Sequence, residues 1–111
     1  MLDESFDPIK AVLADVEKGN IREIIIDISS KNFEITKYLG GYGTFVGQWE
    51  DHYVVIMMRQ EQMDYDRNMN TLSAPFHNEI INGPILLIRM DHDALPKDLT
   101  LKEVQESKLF L

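Results

Sequence analysis

The sequence contains no cysteine. This absence excludes disulfide bonds, thiolate metal sites, iron–sulfur clusters bound by the chain and cysteine nucleophiles. A small domain without disulfides fits a reducing compartment. The acidic start of the chain also does not resemble a secretory signal. We therefore expect an intracellular, cytoplasmic protein.

Basic residues are scarce. Eleven Lys and Arg oppose nineteen Asp and Glu, which gives a formal net charge of −8 at pH 7. A conventional nucleic-acid reader needs a basic face to meet the phosphate backbone, so that class of protein is excluded. The acidity favours solubility. The alternative is an acidic surface that binds a basic partner or mimics a nucleic acid.

Long hydrophobic runs are missing as well. The densest are Val54–Met58 and Ile85–Ile88, far shorter than the ~20 residues that a membrane helix needs, so we expect no membrane association. The chain has 111 residues and an ordinary hydrophobic content of 44%. These values predict a single domain over residues 1–111.

The periodicity of the apolar residues predicts an α+β fold with a mainly antiparallel sheet of about four strands and two or three covering helices. Ile9, Val12, Leu13 and Val16 have helical spacing, and Thr100 with Glu103 forms a capping box. The predicted order is α-β-α-β-β-loop-β-α. The predicted helices run from Asp7-Pro8 to Gly19-Asn20, from Ser29 or Ser30 to Leu39, and from Leu101 to Lys108; the predicted strands are Ile21–Ile28, Gly43–Trp49, His52–Arg59 and Ile85–Met90. We expect Phe45 and Trp49 on one face of their strand, and an apolar staple between Leu99 and Val104 at the start of the last helix.

Residues 60–83 form a long polar connection within this domain. Compact domains rarely carry a structureless loop of that length unless it has a function or local structure. We therefore place the candidate contact surface on this connection and on the aromatic side chains near it. The candidate binding residues are Trp49, Tyr65, Asn70, Phe76, His77 and Glu79.

Recognisable catalytic motifs are absent from the sequence. The pattern Gly-x-Ser-x-Gly does not occur, and the histidines do not have the spacing of a zinc-binding helix. We therefore predict no catalytic residues, no metal ligands and no cofactor. One alternative is a metal-dependent hydrolase that uses His77, Glu79, Asp91 and His92. Another is a nucleotide-sequestering protein that uses the glycine-rich turn at 40–43.

Several turns and strands carry a family resemblance. They are Tyr38-Leu39-Gly40-Gly41, the strand Val54–Met58, the Asn-rich loop with Leu72, Asn82-Gly83-Pro84, and Asp98-Leu99-Thr100. From about Ile21 to Lys108, the chain resembles a family of small uncharacterised domains encoded by phages and by large DNA viruses of algae and protists. The resemblance implies a compact α+β fold and a viral or mobile-element origin. It transfers no activity and no site residues.

These observations together predict a small non-catalytic accessory or interaction protein, of viral origin if the resemblance holds. Its predicted partner is a protein of unknown identity. The alternative partner is a second copy of the chain, because an edge strand of a short sheet is available for pairing in a homodimer.

Overall fold

The computed structural model of the protein describes residues 6–111, and within them six strands form one sheet. Every pair of neighbouring strands is antiparallel. The strands are β1 (Ile9–Ala14), β2 (Ile21–Ile26), β3 (Gly43–Trp49), β4 (Val54–Arg59), β5 (Ile85–Met90) and β6 (Pro96–Lys97); the helices are α1 (Glu34–Leu39) and α2 (Leu101–Glu106). The sheet order is β2-β1-β5-β4-β3, and β6 pairs with β5. The predicted α+β class is confirmed, but the sheet has six strands rather than about four.

The predicted first helix is wrong, because Ile9–Ala14 forms strand β1. This strand pairs with β2 along its whole length and with β5 through Val12, Leu13 and Ala14. A strand buried on both faces reads as a continuous apolar run, and a short run of this kind matches helical spacing by chance. Gly19, with φ +83°, lies in the turn between β1 and β2 instead of ending a helix.

The remaining strand predictions agree more closely with the structure. β3 and β5 have the predicted limits, and β4 lies inside the sheet, as its apolar character on both faces indicates. The predicted placement of Phe45 and Trp49 on one face is wrong. The pairing of β3 with β4 shifts between Phe45 and Gly47. This bulge inserts one extra residue and sends the two aromatic side chains to opposite faces.

The two faces of the sheet are covered differently. The side that bears Val12, Ile56 and Leu87, the sealed face, is covered by the 60–83 segment, α2 and the residues after α2. The side that bears Leu13 and Ile88, the open face, is covered by α1. The covering side chains of the sealed face are Leu72, Phe76, Ile81, Leu101, Val104, Leu109 and Phe110; those of the open face are Ile35, Tyr38 and Leu39.

The 60–83 segment is attached to the sheet by buried amides. Asn68 donates from Nδ2 to the carbonyls of Ala14 (3.0 Å) and Gly83 (2.9 Å). Its Oδ1 accepts from the backbone N–H of Asn70 at 2.9 Å. Buried polar groups are stable only when hydrogen-bonded. The polar residues of this segment therefore fasten a covering layer whose apolar residues, Leu72 and Ile81, enter the core.

The capping box of the last helix is confirmed. The Thr100 hydroxyl accepts from the backbone N–H of Glu103, and the Glu103 carboxylate accepts from the Thr100 backbone N–H. The predicted apolar staple from Leu99 to Val104 is consistent with the full burial of both side chains on the sealed face. The helix ends at Glu106, two positions before the predicted limit at Lys108.

Candidate functional site

A groove of about 710 Å³ lies on the open face. Helix α1 has only six residues, so it covers part of this face and leaves neighbouring portions of β3, β4 and β5 uncovered. Ile35 of α1 forms one wall, and residues 91–94 after β5 form another. The lining residues are Ile28, Ile35, Phe45, Gln48, Glu50, Tyr53, Val55, Met57, Ile88, Met90, Asp91, His92 and Ala94. Pockets for ligands or side chains typically have this size and are mostly apolar.

Two exposed aromatic and two methionine side chains line the groove. Phe45 is 69% exposed and Tyr53 is 46% exposed. Phe45 points into the groove because the bulge in β3 turns it away from the sealed face. Met57 and Met90 are half-buried beside them. Methionine adapts to irregular partners, and exposed aromatic residues supply large contact areas.

The polar rim of the groove is acidic. Glu50 and Asp91 line it, and its lining residues include no lysine or arginine. The pKa of Asp91 is held below its usual value, chiefly by the hydrogen bond from the backbone N–H of Leu95. Asp91 therefore stays charged at neutral pH, and Lys97, 3.8 Å from its Oδ2, also favours the charged form. The surroundings of the apolar groove attract cations more than anions.

Arg59 fixes the α1 wall of the groove. Its Nη1 donates to the carbonyls of Leu39 (3.1 Å) and Gly40 (2.6 Å) at the end of α1. A Cβ atom at Gly40 would lie 2.6 Å from Nη1, and one at Gly41 would lie 2.9 Å from Nη2. The glycines of the 40–43 turn thus make room for the guanidinium group. Since this protein side chain fills the turn, the arrangement lends no support to a nucleotide site there.

Tyr65, one of the predicted binding residues, contacts the same guanidinium group. Arg59 Nη2 donates to the Tyr65 hydroxyl at 2.6 Å, and the Arg59 Cζ atom lies 3.7 Å from the centre of the Tyr65 ring. A cation over an aromatic face is attracted to it. Tyr65 therefore links the 60–83 segment to the base of α1, although its side chain remains partly exposed.

Trp49 and Phe76 pack together on the sealed face. Their ring centres are 5.5 Å apart and nearly perpendicular, and Trp49 Nε1 donates to the Ala74 carbonyl at 3.2 Å. A Cβ atom at Gly47 would lie 2.3 Å from the Phe76 ring, so Phe76 lies directly against β3. Trp49 is buried and Phe76 is half-buried. The structure assigns both rings a packing role between the segment and the sheet.

Asn70, His77 and Glu79 surround a separate cavity of about 60 Å³. Asn70 is buried, donates from Nδ2 to the carbonyls of Asp15 and Glu17, and accepts from the Gly19 backbone N–H. It therefore holds the β1–β2 turn in place. His77 and Glu79 are exposed at the mouth of a space that is too small for most organic substrates.

The hydrolase alternative requires His77 and Glu79 to meet Asp91 and His92. The structure instead places the first pair beside Ile81 and Ile85 of the sealed face, and the second pair at the rim of the open-face groove. Within residues 6–111, no cluster of three or more His, Asp or Glu side chains could hold a metal ion. This arrangement gives the hydrolase alternative no support.

Apart from Asp91 and His92, which the hydrolase alternative named, the groove residues were missed by sequence reasoning, which concentrated on the 60–83 segment. One signal was present: Phe45 is a large aromatic residue in a strand with Gly43, Thr44 and Gly47 as neighbours. A second signal was the short predicted helix before β3, since one short helix cannot cover several strands. Gly47 was a third signal, since an isolated glycine inside a strand suggests a bulge.

Comparison with known proteins places the chain in a family. A family model covers residues 12–107. The chain belongs to the DUF5880 family, which is described as a family of unknown function. The match begins within β1, so the DUF5880 domain includes residues before the predicted boundary at Ile21. No curated protein and no solved structure shows significant similarity to the chain.

Within residues 6–111, no helix has both the length and the hydrophobicity of a membrane-spanning segment.

Proposed function

We propose that this DUF5880 protein is a non-catalytic interaction protein whose open-face groove binds an apolar, positively charged segment of another protein. The observation that carries the proposal is the groove itself: Phe45 and Tyr53 stay exposed beside half-buried methionines while the opposite face is fully covered. Exposed apolar surface of this kind marks a contact site. The viral accessory role implied by the family resemblance is part of the same proposal.

Charge supports a basic partner. The groove is bordered by Glu50 and Asp91, and the chain carries a formal charge of −8. A segment with an apolar centre and flanking Lys or Arg would bury the aromatic side chains and meet the acidic rim. Such complementarity speeds association and excludes acidic competitors. A second copy of this chain also carries a formal charge of −8, so a basic partner is favoured over a homodimer.

The proposal is tested by selecting peptides from a random display library for binding to the full chain. Each peptide should be long enough for about four helical turns. Enriched peptides should combine apolar residues with Lys or Arg. Phe45→Lys should weaken their binding at least about 10-fold, because loss of an aromatic anchor costs about 2 kcal/mol. The matched control is Tyr42→Lys, since Tyr42 is 75% exposed but does not line the groove.

Two results would contradict the proposal. One is the absence of enriched peptides, or enrichment that Phe45→Lys and Tyr42→Lys affect equally. The other is a dimer in light scattering that Phe45→Lys converts to a monomer, because a second copy would then occupy the groove. Glu50→Lys provides an additional readout: affinity should fall about 5-fold and become less dependent on salt, as expected for a rim charge.

A further inference from the structure

We infer that the segment bound in the groove is an amphipathic α-helix with basic residues at one end, lying on the sheet beside α1. This inference rests on the proposed function and specifies the conformation of the partner segment. It follows from the width of the uncovered surface, from the shape of the neighbouring sheet edge and from the position of the acidic side chains.

The width of the groove matches a helix. Its floor is formed by three adjacent strands, with Phe45 in β3, Val55 and Met57 in β4, and Ile88 and Met90 in β5. Strands are spaced about 4.8 Å apart, so three of them span about 10 Å. A helix with its side chains is about 10–12 Å across. One helix would therefore cover the exposed floor and extend the layer that α1 begins on this face.

An added strand fits the surface less well. The available edge of the sheet next to the groove is β3, and this strand carries the bulge between Phe45 and Gly47. Bulges on edge strands interrupt the row of backbone groups that a new strand would need. A strand beside β3 would also lie outside the sheet and leave the half-buried Met90 of β5 uncovered.

The rim specifies the charge pattern of the helix. Glu50 lies after β3 and Asp91 lies after β5. Because both strands pair antiparallel with β4, they run in the same direction and place the two carboxylates at one end of the apolar floor. A helix along the strands that places apolar residues at i, i+3 or i+4 and i+7 on the floor would carry Lys or Arg at the end that meets these carboxylates. Its outer face is solvated and tolerates further basic residues.

The test compares two display libraries on the full chain. One fixes a helix-forming framework of Ala and Lys and randomises positions at i, i+3, i+4 and i+7. The other fixes alternating Thr and Lys and randomises the intervening positions, which favours an extended chain. We expect enrichment from the helical library alone, with binding at least about 10-fold weaker to Phe45→Lys than to Tyr42→Lys.

Two measurements on the best helical peptide complete the test. Its circular dichroism should gain helical signal on binding, and a proline at its centre should weaken binding at least about 10-fold, because an interior proline costs about 3 kcal/mol in a helix. Hydrogen exchange should slow at the backbone amides of floor residues such as Val55 and Ile88, without new protection along β3.

The outcomes separate the inference from the proposal on which it rests. Enrichment from the extended library with new protection along Gly43–Trp49 would overturn the helix and leave a groove-binding protein. If a random library gives binders and the helical library gives none, the helix is likewise overturned and the groove-binding function remains. Failure of every library, or binding that ignores Phe45→Lys, would overturn the proposed function itself.

Discussion

The sealed face and the open face of the sheet bury their strands to very different extents. On the sealed face, side chains from the 60–83 segment and α2 leave Val12, Ile56 and Leu87 inaccessible to water. On the open face, α1 covers Leu13 and Leu86 in the same way, but Phe45 and Tyr53 remain exposed. The same sheet therefore has one face that is complete and one that is only partly covered.

This difference shows where binding surface can arise in a small domain. The long polar segment, which looks functional in the sequence, is fastened by Asn68 and Asn70 and completes the core. The short helix α1, which looks purely structural, leaves the groove open because it is too short to cover three more strands. An incomplete layer is thus the stronger indication of a contact site than a long connection.

The largest difference in stability is expected between truncations of a buried side chain on the sealed face and an exposed side chain on the open face. Ile56→Ala on the sealed face should lower the free energy of unfolding by about 2–5 kcal/mol, because it leaves a cavity in a fully buried site. Phe45→Ala removes a larger side chain from the open face but should change stability by less than about 0.5 kcal/mol, since Phe45 is already solvated. Urea unfolding measures both values.

Equal losses from these two variants would contradict the comparison. They would mean that the open face is as tightly packed in solution as the sealed face. A large loss for Phe45→Ala alone would show that this ring stabilises the fold, and the groove would no longer be a candidate contact site.

A smaller effect should follow from cutting the polar attachment of the sealed face. Asn68→Ala removes donors to the Ala14 and Gly83 carbonyls and should cost about 1–3 kcal/mol, because buried carbonyls lose their partners. Amide exchange should accelerate across 60–83. Asn78→Ala is the control, since Asn78 is exposed in the same segment. Equal exchange in the two variants would show that Asn68 does not hold the segment.

The smallest effect concerns the ion pair between β5 and α2. The hydrogen bond from Arg89 holds the pKa of Glu103 below its ordinary value. A carboxylate with a lowered pKa in the folded state adds stability above the pKa of the unfolded state, and this contribution is lost as pH falls through the folded-state pKa. Glu103→Gln should therefore cost less than about 1 kcal/mol at pH 7, since the pair is partly exposed, and almost nothing well below pH 4.

The control for this titration is Glu106→Gln. Glu106 lies 3.8 Å from Lys102 in an exposed pair on the same helix. Its substitution should lower the free energy of unfolding by less than about 0.5 kcal/mol. If the two variants show the same dependence on pH, Arg89 and Glu103 do not contribute specifically to the attachment of α2.

The successes and failures of sequence reasoning have separate physical causes. β3, β5 and the capping box of α2 were predicted because alternation, apolar runs and cap residues act within a few positions of the chain. β1 was mistaken for a helix because burial on both faces removes the alternation that identifies a strand. The faces of Phe45 and Trp49 were mistaken because of the bulge in β3. Gly47 marks its position, but the register shift itself depends on pairing with β4.

For the candidate site, the sequence predicted Phe76, Tyr65 and Asn70 as binding residues, and this assignment stays a prediction. Their contacts with β3, Arg59 and the β1–β2 turn belong to the fold. His77 and Glu79 lie by a small cavity away from the groove. Their assignment to binding stays a prediction. The groove itself combines residues from β3, β4, β5 and α1, which come together only when the sheet forms.

The amino-acid sequence alone determined the α+β class, the acidic charge, the absence of thiol chemistry and most of the local elements, because these depend on composition and on neighbouring residues. Tertiary structure decided which face of the sheet is completed and which remains open. That outcome depends on contacts between distant positions, such as Asn68 with Ala14 and Arg59 with Leu39. Such contacts form only when distant segments of the chain pack together during folding.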